Sequence, residues 1–292
     1  MMEAFPDEQS CVDHLRSIRW KNGAHCPHCK STKVYHFSDN RNHKCGDCRK
    51  RFSIKVGTIF EDSKIPLRKW FMAIWLITSH KKGIASTTLA TDLKVTQKTA
   101  WFTLHRLRFA ARTRSFNRPL KGTVEIDETF IGGKEKNKHP NKRQNAGRGG
   151  VGKAVVFGAL ERSGEFRAFH ITSLKGVKAA VEQHVAEGSI VMTDEFAGYQ
   201  GLGKRYYHQT VNHSAGEYSR AFYFHINSIE GAWSHIKRQI YGIHHWISDK
   251  HLHNYLSEMT WRYNRREVAE GARMNEFFGK VEGRLRYKEL IA

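Results

Sequence analysis

The sequence has no long apolar run. Its most hydrophobic stretch, Trp70-Phe-Met-Ala-Ile-Trp-Leu-Ile-Thr78, falls well short of the roughly 20 residues a helix needs to cross a bilayer, so it reads as a core helix and no membrane partner is expected. The opening of an export signal is also missing: Met1-Met-Glu-Ala-Phe-Pro-Asp-Glu8 carries acid where such a signal carries base. A cytoplasmic setting is expected, and in a reducing compartment the 5 cysteines favour metal ligation over disulfides. Acid is scarce too. Only 28 Asp+Glu face 49 Lys+Arg, for a net charge of +21 with the 18 histidines neutral. That deficit argues for a phosphate-bearing polymer or an anionic surface as partner. With 39% apolar and 12% aromatic residues the chain is too rich for a disordered basic tail, and its 292 residues suggest about two domains.

The chain reads as multidomain, in four stretches of different character. Residues 1–25 suggest an N-terminal helix, with Cys11, Leu15 and Ile18 at helical spacing. Residues 26–57 are short, polar and cysteine-bearing, with hairpin-like pieces at Lys33–Phe37 and Arg51–Val56. Residues 62–116 are helical, starting at Pro66. Residues 120–285 alternate strands and helices around Thr123–Ile131, Ala154–Leu160, Glu165–Thr172 and Ser189–Asp194, an α/β pattern around a mixed sheet. Between the first two of these strands, Lys134 to Lys153 reads as a mobile basic loop.

Four cysteines stand as Cys26-Pro-His-Cys29 and Cys45-Gly-Asp-Cys48. Two thiolates three positions apart on a tight turn can point at one cation, and two such turns complete a tetrahedral zinc site. Such a closed site has no open position for catalysis, so this Zn²⁺ is structural. His25, His28 and His43 lie close by, but the four thiolates fill the shell. Cys11 reads as a small apolar residue of the first helix.

Downstream, Ser86 to Leu93 gives a short helix, Lys94-Val95 a turn, and Thr96 an N-cap for a second helix. This is a helix-turn-helix layout, with Ala100, Leu104 and Leu107 inward and Gln97, Lys98, Thr103, His105 and Arg106 expected outward, toward a DNA groove.

Three acids stand out in the α/β region. Asp127 lies within the first strand, where a buried charge is costly unless used or paired. Asp194 closes a later strand, and Glu230 sits on the helix that begins near Ser228, with Lys237 on the same face. Two aspartates on adjacent strands and a glutamate from a packed helix can hold two divalent cations roughly 3.5–4 Å apart, an arrangement for in-line displacement at phosphorus. Oxygen ligands select Mg²⁺ or Mn²⁺, and Lys237 suits a phosphate. Glu128 and Glu195 adjoin the two aspartates, but strand neighbours point to opposite faces.

Asp127-Glu128, Asp194-Glu195, the run Asn227-Ser-Ile-Glu-Gly-Ala-Trp233 and Trp261-Arg-Tyr-Asn-Arg-Arg266 together resemble the zinc-ribbon DDE transposases of bacterial insertion sequences, the group related to Merlin elements. The likeness spans nearly the whole chain, including Trp20-Lys-Asn-Gly23. It implies an N-terminal zinc ribbon that recognises element ends and a ribonuclease-H-like catalytic domain that cleaves and transfers DNA strands with Mg²⁺. Asp127, Asp194 and Glu230 are its implied metal ligands, Lys237 its basic partner, and Asn227, one turn before Glu230, a further residue lining the site. Double-stranded DNA, as terminal repeats and as target, is the implied partner, and pairing of ends implies a homo-oligomer. Leu252, Tyr255, Leu256 and Met259 should pack a C-terminal helix on the sheet, leaving Arg262, Arg265 and Arg266 on an outward face, either toward DNA or simply solvated.

Overall fold

In the computed structural model, residues 1, 3–112, 118–133, 137–143, 150–211 and 223–292 are described. The chain forms two compact units, one of Met1–Ala111 with Glu267–Ala292, the other of Arg112–Arg266. No helix of the described residues is long and apolar enough to cross a membrane.

In the first unit, helix α1 (Glu8–Arg19) starts at Asp7, whose carboxylate accepts from Ser10 N at 2.7 Å. Strands β1 (Val34–His36), β2 (Asn42–Cys45) and β3 (Arg51–Ser53) form an antiparallel sheet. Then follow α2 (Leu67–Ser79), α3 (Ser86–Leu93) and α4 (Gln97–Ala111). Pro66 cannot cap α2 with a side chain. Glu8 of α1 does so instead, accepting from Leu67 N at 2.8 Å and Arg68 N at 3.0 Å. Its charge also suits the positive end of α2. The expected N-terminal helix is thus tied to the helices after the ribbon and is no separate domain.

Lys94 takes the left-handed conformation that ends α3, and Thr96 Oγ1 accepts from Thr99 N at 3.3 Å to open α4. The helix-turn-helix is present, but its outward face is smaller than the sequence suggests. Gln97 and Lys98 are exposed, whereas Thr103, His105 and Arg106 are buried. Arg106 turns inward to donate to the carbonyls of Ile59 at 2.9 Å and Glu61 at 2.8 Å, so α4 is a central helix with only its first turn outward.

The second unit is built on β4 (Thr123–Ile131), β5 (Ala154–Glu161), β6 (Phe166–Ile171), α5 (Val177–His184), β7 (Ile190–Thr193), β8 (Tyr207–Thr210), α6 (Asn227–Gln239) and α7 (Asp249–Tyr263). The strand order is β6-β5-β4-β7-β8. Strands β4, β5 and β6 run antiparallel, while β7 and β8 run parallel to β4. This is the expected mixed sheet, with β8 an edge strand the sequence pattern did not reveal. One face, with Val124, Ile126, Phe157 and Val191, is covered by α5. The other, with Ile131, Val156 and Met192, is covered by α6 and by Leu252, Tyr255, Leu256 and Met259 of α7.

Arg262 is not at the surface as expected. It is buried and ion-paired with Glu258, and it donates to Gln239 Oε1 at 2.9 Å, tying α7 to α6. Two residues on, Asn264 bonds the backbone of Phe166 through both N and O, at 2.8 and 3.0 Å. Arg265 and Arg266 lie over Trp261 and Tyr263.

The α/β unit ends at Arg266, not near residue 285. Helices α8 (Glu270–Phe278) and α9 (Tyr287–Ile291) belong to the first unit. Phe278 packs on Phe71 and His14, and Ile59 N donates to Val281 O at 2.9 Å. Of the basic loop expected between Lys134 and Lys153, residues 134–136 and 144–149 lie outside the described residues, and Pro140–Lys142 forms a short 3-10 turn.

Candidate active site

The sheet alternation decides which acids meet. On β4, Glu125 and Asp127 share the α6 face, while Glu128 points to the α5 face with Val124 and Ile126. Strand β4 pairs with β7 as Thr123↔Ile190, Val124↔Val191 and Glu125↔Met192, and the same register carried two residues on sets Asp127 beside Asp194. Opposite Asp127 on β5 is Gly158. A Cβ there would lie 2.3 Å from Cζ2 of Trp233, so glycine lets the α6 indole settle on the sheet next to Asp127.

Burial pushes the Asp127 carboxyl up to about 6, with the neighbouring charges of Asp194 and Glu230 adding to the rise. Its Oδ1 accepts from Glu128 N at 2.8 Å, and Asp194 Oδ1 accepts from Phe196 N at 3.0 Å. Glu230 is exposed in the first turn of α6. The structure therefore brings Asp127, Asp194 and Glu230 into one electrostatic neighbourhood. Glu128 is engaged elsewhere, accepting from Tyr199 Oη at 2.5 Å, and its carboxyl is pushed up to about 7 by burial and the two aspartates. Glu195 is exposed. Asn227 opens α6, exposed and one turn before Glu230. Lys237 is half-buried, two turns beyond Glu230, and its ammonium bonds to none of the described residues.

What sequence reasoning missed is Glu125. It is fully buried, and its carboxylate docks the start of α6. Oε1 accepts from Ser228 Oγ at 2.9 Å and Arg162 Nε at 2.7 Å, while Oε2 accepts from Ile229 N at 3.0 Å. Arg162 also donates to the carbonyls of Tyr223 and His225, each at 2.9 Å. One carboxylate thus caps the helix that carries Glu230 and fixes it to the strand that carries Asp127. The signal was available: an acid two places before Asp127 in a β-branched strand shares its face.

The cysteine site forms separately, in the first unit. One ligand atom from each of Cys26, Cys29, Cys45 and Cys48 lies within 4.8 Å of every other. Sγ of Cys26 and Cys48 are 3.7 Å apart, and those of Cys29 and Cys45 3.5 Å. A tetrahedral ion with bonds of about 2.3 Å sets sulfurs about 3.8 Å apart, so the set fits zinc. Each knuckle closes alike. Lys30 and Arg49, the residues after the second cysteine of each pair, are both left-handed. Amides of His28 and Cys48 point at the sulfurs of Cys26 and Cys45, each at 3.4 Å. His43 takes no part among these four. It is buried between Trp20 and Phe52, with Nδ1 3.0 Å from that of His36, and burial pushes it down to about 4. Cys11 is buried on α1, as expected.

Among the described residues no group of three acids closes as tightly as the four cysteines do. A pair of cations about 3.5–4 Å apart spans a wider donor set than one ion does. An all-carboxylate set, buried and mutually repelling at Asp127, suits Mg²⁺ or Mn²⁺.

Two family models, both of transposases, match on either side of the division between the zinc ribbon and the acid-bearing mixed sheet, and they place the chain among transposases. The transposase zinc-ribbon domain matches residues 6–51, and the ISXO2-like transposase domain matches residues 119–264. The chain belongs to the ISXO2-like transposase family. It is 29% identical over 280 residues, 89% of this chain and 92% of the relative, to an uncharacterized protein in transposable element ISH50 of Halobacterium salinarum (strain ATCC 700922 / JCM 11081 / NRC-1). It is 34% identical over 89 residues, 30% of this chain and 70% of the relative, to an uncharacterized transposase-like protein of Haemophilus influenzae (strain ATCC 51907 / DSM 11121 / KW20 / Rd). A pre-cleavage Mos1 transpososome aligns over 74% of this chain and 80% of that one, at 11% identity and a TM-score of 0.24, too low to bear on the fold.

Proposed function

We propose that this transposase binds the ends of its element as double-stranded DNA, cleaves there, and joins the freed 3′ end to target DNA, using two divalent cations held by Asp127, Asp194 and Glu230. The observation that carries this reading is the β4–β7 register, which sets the two aspartates side by side on the face that α6 covers. Mg²⁺ or Mn²⁺, when bound, supplies the charge that offsets the developing negative charge on phosphorus oxygens and eases ionisation of the attacking hydroxyl. The chain does the rest. Asp127 and Asp194 hold fixed positions on the sheet, Glu125 keeps Glu230 over them, Lys237 offers its ammonium to a phosphate, and Asn227 lines the approach. Cys26, Cys29, Cys45 and Cys48 hold structural Zn²⁺. The ribbon and the exposed first turn of α4, with Gln97 and Lys98, face the element end. Work on paired ends implies a homo-oligomer, and the setting is the cytoplasm.

The test is Asp127→Asn and Asp194→Asn on duplexes that carry the element's ends. Each variant should bind within about twofold of wild type and lose strand cleavage in Mg²⁺ by at least about 10³-fold, the scale of losing one preorganised charge in a reactive centre. A variant that still cuts would remove that aspartate from the site. Wild-type protein that binds ends and never nicks them in Mg²⁺ or Mn²⁺ would make the chain a DNA-binding regulator instead.

A further inference from the structure

Seven tryptophans are present, and one of them, Trp246, is largely in water, at 67% exposure. It lies just past the π-helical turn Ile240–His244 that continues α6. Tyr241 on that turn is 53% exposed. Neither ring meets another aromatic ring or a guanidinium among the described residues, and the indole N–H donates to none of them. Both rings border a small cleft with Gly132 and Gly133, at the end of the strand that carries Asp127. A Cβ on Gly133 would meet nothing, whereas one on Gly132 would meet Lys153 at 3.0 Å, so the cleft has open space at Gly133.

The position of this aromatic pair says what belongs there. Glu230, Lys237 and Tyr241 are separated by 7 and 4 residues, an 11-residue span that returns to the same face of a 3.6-residue helix about 16 Å along. An acid, a cation and an exposed aromatic therefore form a row leading away from Asp127 and Asp194. Between Ile236 and His253 the chain has Lys237, Arg238 and Lys250 against the single acid Asp249, with His244, His245, His251 and His253 besides. A strand of nucleic acid lying along this row would meet the acids, then the ammonium, then the two rings.

We propose that Trp246 and Tyr241 form a stacking site for an unpaired base of the DNA strand held in the acidic site. At 3.4 Å per nucleotide of stacked strand, the base lies no more than about five nucleotides from the scissile phosphate. Aromatic rings take any base by its π-face, so the site selects unpairing rather than sequence. The inference rests on the reading of Asp127, Asp194 and Glu230 as the catalytic centre.

The test uses full-length, zinc-loaded protein in buffer free of Mg²⁺ and Mn²⁺, where no cleavage that depends on those ions runs, with two fluorescein-labelled probes of one sequence. One is fully paired, and the other is forked with six unpaired nucleotides. The forked probe should bind more tightly and quench tryptophan emission. Trp246→Ala should weaken the forked probe alone by roughly 5- to 150-fold, the range for losing one stacked base, and Trp246→Phe should restore most of that affinity without the quench. Circular dichroism of both variants should match wild type, because the ring lies in water. Equal binding of both probes by wild type and Trp246→Ala would overturn the stacking site and leave the catalytic reading intact. Failure to bind either probe would instead sink the DNA reading. Loss of self-association in Trp246→Ala, seen by sedimentation with probe preference unchanged, would make the cleft an interface between copies and overturn the proposal.

Discussion

Asp127 carries a charge that the fold does not favour on its own. Its carboxyl is raised to about 6 by burial and by Asp194 and Glu230, so the protonated form is the one folding prefers. That contribution to stability is present below the usual carboxylate range near 4 and is lost as pH rises through about 6. By pH 7.5 the ionised group opposes folding by on the order of 3 kcal/mol. A divalent cation in the site reverses the sign. Added Mg²⁺ should therefore raise the melting temperature of the α/β unit more at pH 7.5 than at pH 5, in zinc-saturated protein followed by calorimetry. Asp127→Asn should melt higher than wild type in zinc-saturated protein without Mg²⁺ at pH 7.5, and show a much smaller Mg²⁺ effect. An equal Mg²⁺ shift at both pH values would mean that the ion does not sit at Asp127.

At the scale of elements, what the sequence revealed and what it hid have a common cause. Strands β4, β5, β6 and β7 were legible from β-branched runs between turns. The cysteine knuckles were legible because all their geometry lies within a few residues. Asp127 stood out as a charge in an apolar strand. Glu125 stood in the same strand and was passed over, because its partners lie far along the chain, at Arg162, Ser228 and Ile229. Arg262 looked like a surface cation although its ion-pair partner Glu258 lies one turn back on the same helix, because the partner that draws it inward, Gln239, comes from another helix. The outward face of α4 was overdrawn because periodicity shows which residues can face a core, not how many sides the core has. Glu125 also makes a prediction for α6. Glu125→Ala leaves Arg162 and the Ile229 amide without their carboxylate, at a stability cost of about 3–5 kcal/mol measurable in urea. Glu125→Gln keeps the shape and cuts the cost, but sets one amide hydrogen against a donor. In Glu125→Gln, strand cleavage should fall by at least about tenfold through misplacement of Glu230, with binding of end DNA unchanged. Cleavage at the wild-type rate in Glu125→Gln would show that α6 needs no such anchor.

The whole molecule is not laid out in the order of its sequence. The chain leaves its first unit at Ala111, builds the α/β unit, and returns at Glu267. Nothing local marks that return, because α8 is an ordinary amphipathic helix whose Met274, Phe277 and Phe278 would suit either unit. The destination is set by specific partners. Phe278 stacks on Phe71 at 4.4 Å, Glu282 receives Arg19 Nε at 2.7 Å, Gly283 N donates to Gly57 O at 2.8 Å, and Arg284 pairs with Glu61 at 2.6 Å. Tyr287 of α9 meets Phe102 and lies under the Lys98 ammonium, at the exposed turn of α4. Phe277 and Phe278 are each 1% exposed, and burying two such rings contributes about 3–6 kcal/mol, a large part of the roughly 5–15 kcal/mol that holds a domain. A chain ending at Arg266 keeps the whole ISXO2-like match at residues 119–264 and loses this brace. Limited proteolysis should then cut readily between residues 57 and 111 while Arg112–Arg266 stays resistant, and binding of end DNA should fall although every acid of the candidate site remains. If the truncated chain resists protease between 57 and 111 as wild type does, the returning segment is an accessory to the first unit and not part of its core.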